Sequence, residues 1–237
     1  MNPILCPCGS PAEPELVELS AMFPAIYPRP LCRACSDIRD AEVQAANARL
    51  RESREMDLRR SRLIATVPAE MIETDPSHPA FNLALWNRIS GWSPDTGKWL
   101  GIHGGAGRCK TRCVALLVRR LTLDGVTCAW TTACEIQRLT EVLNCGEDSD
   151  RRNSLKTLET YRHARVLVLD DIGKNTWTPT FERKLFEILD YRKTKFKSVI
   201  WTANTHPLEL LRHRLLSDDR SAPIVGRIIE ASHILAA

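Results

Sequence analysis

The stretch GIHGGAGRCKTR, residues 101–112, decides the fold. It overlaps the apolar run KWLGIH, which is typical of a β-strand, and opens the amphipathic segment KTRCVALLVRRLTLDG, which is typical of an α-helix. Backbone N–H groups of a glycine-rich turn and of a helix N-terminus attract phosphate oxygens. We therefore predict a phosphate-binding loop formed by Gly104, Gly105, Ala106, Gly107, Arg108, Cys109, Lys110, Thr111 and Arg112.

One residue of this loop departs from the usual pattern. From Gly104 onward the sequence matches G-x-x-x-x-G-K-[ST] except at Cys109, where the pattern has glycine. Cysteine is small and clashes there only if the backbone needs a positive φ, which glycine adopts freely. The alternative is a glycine-rich turn with a surface lysine. Because strand, loop and helix follow in register, we favour a loop in which Lys110 neutralises the β- and γ-phosphates and Thr111 holds Mg²⁺.

Two acidic residues end a second apolar strand, RVLVLDD. Ligands of open α/β sheets bind at the carboxyl ends of the strands, so we expect Asp170 and Asp171 beside the loop. One carboxylate can hold Mg²⁺, and the other can orient the attacking water. Such pairs also occur in ordinary turns, but the phosphate loop that precedes this one favours a metal site.

A polar residue also follows the strand in VIWTANTHP. Asn204 is the first candidate for contact with the γ-phosphate or its water, and Thr202 is the second. Asn204 is equally suited to cap the helix that begins near Pro207, so both interpretations stay open.

Strands and helices alternate from Phe81 onward. This order predicts an α/β fold with a parallel sheet that is covered by helices on both faces. We expect four strands, in KWLGIH, VTCAWTT, RVLVLDD and SVIWTAN, and two closing helices, in PLELLRHRLL and APIVGRIIEAS.

Four of the nine cysteines form two close pairs near the N-terminus, CPC (Cys6, Cys8) and CRAC (Cys32, Cys35). An odd total without a secretory signal argues against a disulfide framework. Two thiol pairs joined by a loop can form a tetrahedral zinc site, which would be structural because four thiolates leave no open position. Free or redox-active thiols are the alternative. We expect the module to dock another protein or, as a second choice, DNA.

The chain divides by composition into three parts. We predict a zinc-ribbon-like module over residues 1–36, a helical linker over residues 37–80, and an ATPase-type domain over residues 81–237. The linker prediction rests on DIRDAEVQAANARLRESREMDLRRSR, which lacks proline and glycine and mixes acids with arginines.

The composition is that of an ordinary globular protein, with 43% hydrophobic and 26% charged residues. No apolar run has the length of a membrane span, so we expect a cytoplasmic protein with no membrane partner. The net charge of +4 permits a nucleic-acid partner without requiring one. The basic stretch YRKTKFK could contact DNA phosphates, although basic loops are usually solvated surfaces.

Three segments, GIHGGAGRCKTR, VLVLDDIGK and VIWTANTHPLEL, resemble in order and spacing the ATPase domain of DnaC/IstB-type AAA+ proteins. These proteins are bacterial and phage helicase loaders and transposase helper ATPases. The resemblance covers about residues 99–229 and is most specific at DDIGK. It implies ATP and Mg²⁺, and it assigns the site residues as follows: phosphates and metal to Lys110 and Thr111, the Mg²⁺ shell to Asp170, the attacking water to Asp171, and the γ-phosphate sensor to Asn204.

The family also supplies an arginine to the ATP of a neighbouring subunit, from a helix near the C-terminus. Here SDDRSAPIVGRIIEAS offers Arg227 and Arg220. We favour Arg227, which lies in the apolar-spaced part of the helix, and a surface arginine is the alternative. Such a finger ties hydrolysis to self-association.

The resemblance implies an ATP-dependent helicase loader that assembles on single-stranded DNA and delivers a replicative helicase. It also supports the zinc prediction, because some loaders carry a cysteine-rich module ahead of the ATPase. Three alternatives stay open: a transposase helper ATPase, a nucleotide-gated adaptor with little turnover, and a zinc-ribbon DNA-binding regulator with a vestigial ATPase.

Overall fold

A computed structural model describes residues 5–11, 31–209 and 221–237 of the chain. The contacts within the chain divide it into two compact units, Met1–Leu58 and Arg59–Ala237. The predicted boundaries at residues 36 and 80 concern function as well as shape, and they stay a prediction.

The first unit contains a tight turn and most of a long helix. Leu5 and Pro11 form an isolated antiparallel bridge, and helix α1 (Arg33–Thr66) begins directly after Cys32. Up to Leu58 the side chains of α1 are exposed or half-buried. The predicted solvated helix is therefore present, and it is longer at both ends than the sequence pattern indicated.

The second unit contains the end of α1, a parallel sheet and the helices that cover it. Its strands in the described part of the chain are β1 (Trp99–His103), β2 (Cys128–Thr132), β3 (Val166–Ile172), β4 (Ser198–Ala203) and β5 (Ser232–Ala236). Its helices there, after α1, are α2 (Ala69–Ile72), α3 (Leu83–Ile89), α4 (Lys110–Leu123), α5 (Ala133–Cys145), α6 (Asp148–His163), α7 (Pro179–Thr194) and α8 (Ser221–Ala231), with a 3₁₀ turn at Pro94–Thr96.

The sheet has the order β2-β3-β4-β1-β5, and every neighbouring pair is parallel. Side chains alternate between its two faces, so Leu167 and Leu169 pack with α5, α6, α7 and α8, while Val166 and Val168 pack with α3 and α4. Both faces are thus buried, which is why the strands read as continuous apolar runs. The predicted α/β architecture is confirmed.

Close packing between β1 and β4 depends on Gly101. A Cβ atom at this position would lie 2.1 Å from the ring of Trp201, which is itself almost fully buried. The absent side chain makes room for the indole, and the indole Nε1 donates a hydrogen bond to Ser232 Oγ in β5 at 2.8 Å.

The prediction for the end of the chain was incomplete. Helix α8 is present as expected, but it runs directly into β5, which pairs with β1 from Trp99 to His103. Residues 210–220 lie outside the described part, and with them most of the predicted helix PLELLRHRLL and Arg220. Among the described helices, none has the length and apolar character needed to cross a bilayer.

Candidate functional site

The loop between β1 and α4 curls around the side chain of Lys110. Gly104 has φ 146° and Gly107 has φ 76°, backbone conformations that side chains disfavour. Lys110 is 6% exposed, and its Nζ donates to the carbonyl oxygens of Gly104 at 2.7 Å and Gly105 at 2.9 Å. The ammonium group therefore lies inside the turn of the predicted phosphate loop.

Cys109 occupies the one position where the sequence departs from the pattern. It has φ 59° and ψ 21°, so the backbone does need the left-handed conformation that glycine adopts freely. The strain costs about 1–2 kcal/mol. The thiol donates to the carbonyl oxygen of Ala80 at 3.1 Å, and Asn82 Nδ2 beside it donates to Arg108 O at 3.3 Å. The cysteine thus has a partner in the segment before α3.

Asp170 lies at the carboxyl end of β3, next to the start of α4. Its Oδ1 accepts hydrogen bonds from Thr111 Oγ1 at 3.2 Å and from Thr202 Oγ1 at 2.5 Å. Burial raises the pKa of Asp170, the hydrogen bond from Thr202 lowers it, and the Asp171 charge raises it further. The carboxylate and the Thr111 hydroxyl are oxygen ligands of the kind that Mg²⁺ prefers, and they lie close enough together to share one ion.

Asp171 lies in a bulge of β3. The pairing of β3 with β4 shifts register between Leu169 and Ile172, and Asp171 has φ 57°. Its N–H donates to Thr202 Oγ1 at 2.9 Å, and its Oδ2 accepts from Lys174 Nζ at 2.6 Å. The bulge interrupts the alternation of side chains between the two faces of the sheet, at the consecutive acids Asp170 and Asp171.

Asn204 follows β4, the strand between β1 and β3. Its Oδ1 accepts from Lys110 Nζ at 3.2 Å, so the predicted sensor lies against the predicted phosphate loop. Burial lowers the pKa of Lys110, while Asp171 and Asp170 raise it. The fold therefore brings together residues from three segments that are far apart in the sequence: Lys110, Thr111, Asp170, Asp171 and Asn204.

Sequence reasoning missed the double role of Thr202, which was only a second candidate for the sensor. It also missed a contact between His103, before the loop, and His206, after Asn204, whose rings meet edge to face at 4.9 Å. Burial lowers the pKa of His103, and His206 lowers it further. Their positions in the sequence could have indicated them, because Thr202, His103 and His206 each lie within two residues of a predicted site residue.

Arg227 lies on α8 and contacts α7. Its Nη2 lies 2.6 Å from Asp190 Oδ1, and its guanidinium lies 4.9 Å from the centre of the Phe186 ring. The role of this arginine stays a prediction, and the competing candidate Arg220 lies outside the described residues.

The four N-terminal cysteines meet at one point. The sulfur atoms of Cys6, Cys8, Cys32 and Cys35 all lie within 4.8 Å of one another, and those of Cys8 and Cys32 are 3.6 Å apart. A tetrahedral zinc–thiolate site requires sulfur separations of about 3.8 Å, since each bond is about 2.3 Å long. Hydrogen bonds from Ser10 lower the pKa of the Cys8 thiol to about 6, whereas hydrogen bonds to Cys8 and Cys6 raise that of Cys35 to about 12. The geometry fits one zinc ion.

Comparison with known proteins adds solved structures but no sequence family. The sequence matches no protein-family model and no curated protein. A crystal structure of DnaI is 22% identical, with a TM-score of 0.55 over 72% of this chain and 90% of that one. The DnaC helicase loader is 26% identical, with a TM-score of 0.51 over 70% of this chain and 94% of that one. The replication initiator DnaA, bound to AMPPCP and single-stranded DNA, is 17% identical, with a TM-score of 0.54 over 72% of this chain and 50% of that one.

The chain has the α/β fold of AAA+ P-loop domains. The predicted fold class is thereby confirmed, and so is the structural likeness to helicase loaders that the motifs indicated. The predicted phosphate loop follows β1, and the acidic pair lies at the carboxyl end of β3; β4 alone separates these two strands. That order places Asn204, which follows β4, between the two, and there its Oδ1 accepts from Lys110 Nζ.

Proposed function

We propose that this chain is an ATP-dependent helicase loader acting in DNA replication. The observation that carries the proposal is the convergence of Lys110, Thr111, Asp170 and Asn204 at the carboxyl ends of three adjacent parallel strands. Ligands of open α/β sheets bind at this edge, and a lysine in a glycine-rich loop is typical of nucleotide triphosphate sites. The likeness to the DnaC helicase loader supports the more specific role.

The loop residues bind the triphosphate. Lys110 Nζ would exchange the carbonyl oxygens of Gly104 and Gly105 for β- and γ-phosphate oxygens, which repay the cost of its burial. Backbone N–H groups at the start of α4 face the same charge. Thr111 Oγ1 and the Asp170 carboxylate would hold Mg²⁺, which neutralises charge on the β- and γ-phosphates when it is bound.

Asp171 acts on the attacking water, and Asn204 acts on the γ-phosphate. The Asp171 carboxylate accepts a hydrogen bond from the water and orients it, while its ion pair with Lys174 fixes the side chain. Asn204 offers its amide N–H₂ group to a γ-phosphate oxygen once Lys110 turns to the phosphates.

Arg227 serves a neighbouring copy of the chain. In the assembled protein it would leave Asp190 and neutralise charge on the phosphates bound by the next subunit. Hydrolysis then requires self-association, and ATP lies at each subunit contact.

The N-terminal module docks the partner. Zinc held by Cys6, Cys8, Cys32 and Cys35 would stabilise a segment that is too small for a core of its own. We propose that this module binds the replicative helicase, that ATP-driven assembly grips single-stranded DNA, and that hydrolysis releases the helicase. The DnaA structure bound to AMPPCP and single-stranded DNA supports the DNA partner.

The test combines the full-length chain, ATP, single-stranded DNA and the replicative hexameric helicase of the same cell. We expect ATP-dependent transfer of the helicase to DNA, and loss of both ATP turnover and transfer in Lys110→Ala. The matched control is Lys184→Ala, a lysine on α7 that pairs with Glu187. ATP turnover without transfer would remove the loader role and leave the ATPase, whereas transfer of a recombinase to DNA would identify a transposase helper.

A nucleotide-gated adaptor is the second candidate, and the left-handed backbone at Cys109 favours it. A strained loop could bind ATP and turn it over slowly. The adaptor would hold its partner equally well with ATP and with a non-hydrolysable analogue.

A further inference from the structure

The turn between α7 and β4 contains an aromatic residue that the fold does not use. Phe196 is 95% exposed, and its backbone has φ 51°, a conformation that bulky residues avoid. The turn is a Schellman motif, in which Phe196 N donates to Lys193 O and Lys197 N donates to Arg192 O. Phe196 occupies the position where such motifs usually have glycine.

Helix α4 of the same domain ends in the same motif with the usual residue. There Gly125, with φ 87°, takes the left-handed position, and its N–H and that of Val126 donate to Thr122 O and Leu121 O. Compared with glycine, Phe196 adds backbone strain at the left-handed position, and its exposed side chain contributes no stabilising burial. A residue that opposes local stability and faces solvent is best explained by a contact with another molecule.

The charge around Phe196 is positive. Lys195 and Lys197 flank it, and Lys98 and Arg165 lie at the same edge of the sheet, since Lys197 O accepts from Trp99 Nε1 and Arg165 O accepts from Ser198 N. Arg165 is paired with Asp95, but in the described part of the chain no acidic side chain pairs with Lys195. Phe196 thus projects from a basic edge.

We infer that Phe196 is a stacking platform for a base of single-stranded DNA, with Lys195 and Lys197 contacting the adjoining phosphates. Aromatic rings beside cations bind single strands in this way without sequence preference. A protein partner would need a wider apolar surface, and the other exposed large apolar residues described in the second unit lie on other segments: Ile64, Leu83, Leu155 and Leu208.

The platform lies at the amino ends of the strands, about 20 Å from the phosphate loop at the carboxyl ends, given strands of five to seven residues. The inference deepens the proposed function and rests on its DNA partner. Because the two edges are separate, a change at Phe196 can remove DNA binding and leave ATP turnover intact.

The experiment measures binding of the full-length chain to a fluorescent oligo-dT by anisotropy, with and without ATP, and follows ATP turnover in parallel. We expect Phe196→Ala to weaken binding roughly 5- to 150-fold and Phe196→Trp to retain it. Phe196→Gly should lose binding equally while raising the melting temperature, because the strain disappears. Leu155→Ala, which removes another exposed apolar side chain, is the control and should change nothing.

Lys195→Ala should flatten the salt dependence of binding by about one unit of slope. The inference would be overturned if the chain did not bind the oligonucleotide, or if Phe196→Ala changed its affinity by less than about twofold, even with normal ATP turnover. Binding of polyglutamate that depends on Phe196, in place of oligo-dT, would overturn it in favour of an acidic protein. Phe196-dependent binding in a chain without ATP turnover would uphold it and remove the proposed ATPase.

Discussion

Thr202 holds Asp170 from the adjacent strand, with its hydroxyl 2.5 Å from Asp170 Oδ1. The hydroxyl oxygen of Thr202 also accepts a hydrogen bond from the N–H of Asp171 at 2.9 Å. One buried hydroxyl therefore fixes both the carboxylate proposed for Mg²⁺ and the backbone of the bulge that follows it. Thr202 is a positioning residue, because it acts on the proposed site through its two neighbours.

Thr202→Val should weaken Mg²⁺ binding. The hydrogen bond from Thr202 lowers the pKa of Asp170 against the effect of burial, so its loss raises that pKa further. Since only the deprotonated carboxylate binds the metal, the acid limb of the pH–rate profile should move to higher pH. The half-saturating Mg²⁺ concentration should rise roughly 10- to 100-fold. Thr202→Ser should restore both values, and a valine variant with an unchanged pH profile would contradict the role.

Cys109→Gly should change ATP turnover by less than about threefold, because the cysteine already adopts the left-handed conformation at a cost of about 1–2 kcal/mol. Titration calorimetry and turnover assays give the comparison. Cys109→Ala, which keeps the side-chain constraint and removes the thiol contact to Ala80, is the matched control. A large gain of turnover in the glycine variant alone would favour the nucleotide-gated adaptor.

Arg227→Ala and Lys110→Ala should each abolish turnover alone and recover it in part when mixed. In the mixture, an intact loop of one subunit can receive Arg227 from the other. Arg227→Ala alone should still bind ATP. Asp190→Ala is the control for the structural role, since it removes the same ion pair without removing the arginine. No recovery in the mixture, with both variants folded and associated, would exclude Arg227 as the finger.

The purified chain should carry about one zinc ion, measured by elemental analysis. Cys35→Ser should lose it, whereas Cys134→Ser, which changes an exposed cysteine outside the cluster, should keep it. Zinc should be released as the pH falls, because protons compete for the thiolates. Wild-type protein with four titratable free thiols in the module and no metal would point to the redox alternative.

Arg192→Met should destabilise the second unit by about 3 kcal/mol or more, because five carbonyl oxygens lose a buried donor. The guanidinium is fully buried and bonds to the end of α6 and the starts of β3 and β4. The melting temperature should fall roughly 6–12 °C. Arg183→Met on the exposed side of α7 should leave it unchanged, and an equal fall in both variants would contradict this explanation.

Much of the fold and of the candidate site could be predicted because it depends on local sequence patterns. Strands β1 to β4 were predicted from apolar runs, and the parallel order brings the residues that follow three of them to one edge. Four cysteines at suitable spacing likewise predicted the cluster that the structure contains.

The remainder depends on contacts between distant residues. Strand β5 was missed because it follows α8 with no turn residue between, and only its pairing with β1 selects an extended chain. Asp171, whose backbone is left-handed, bonds through its N–H to Thr202, which lies 31 residues away. Cys109 was recognised as a departure, but its partner Ala80 lies in a segment whose position no local pattern predicts.

The direct passage from α8 into β5 has a consequence for communication between copies of the chain. Arg227 lies four residues before the helix ends, β5 pairs along the whole of β1, and Ala237 beyond it donates to His103 O beside the glycine that opens the loop. A neighbouring subunit that separates Arg227 from Asp190 would therefore displace β5 against β1, the strand that leads into the predicted phosphate loop. Nucleotide binding in one subunit would in this way change the loop of the next, through a displacement of the edge strand β5.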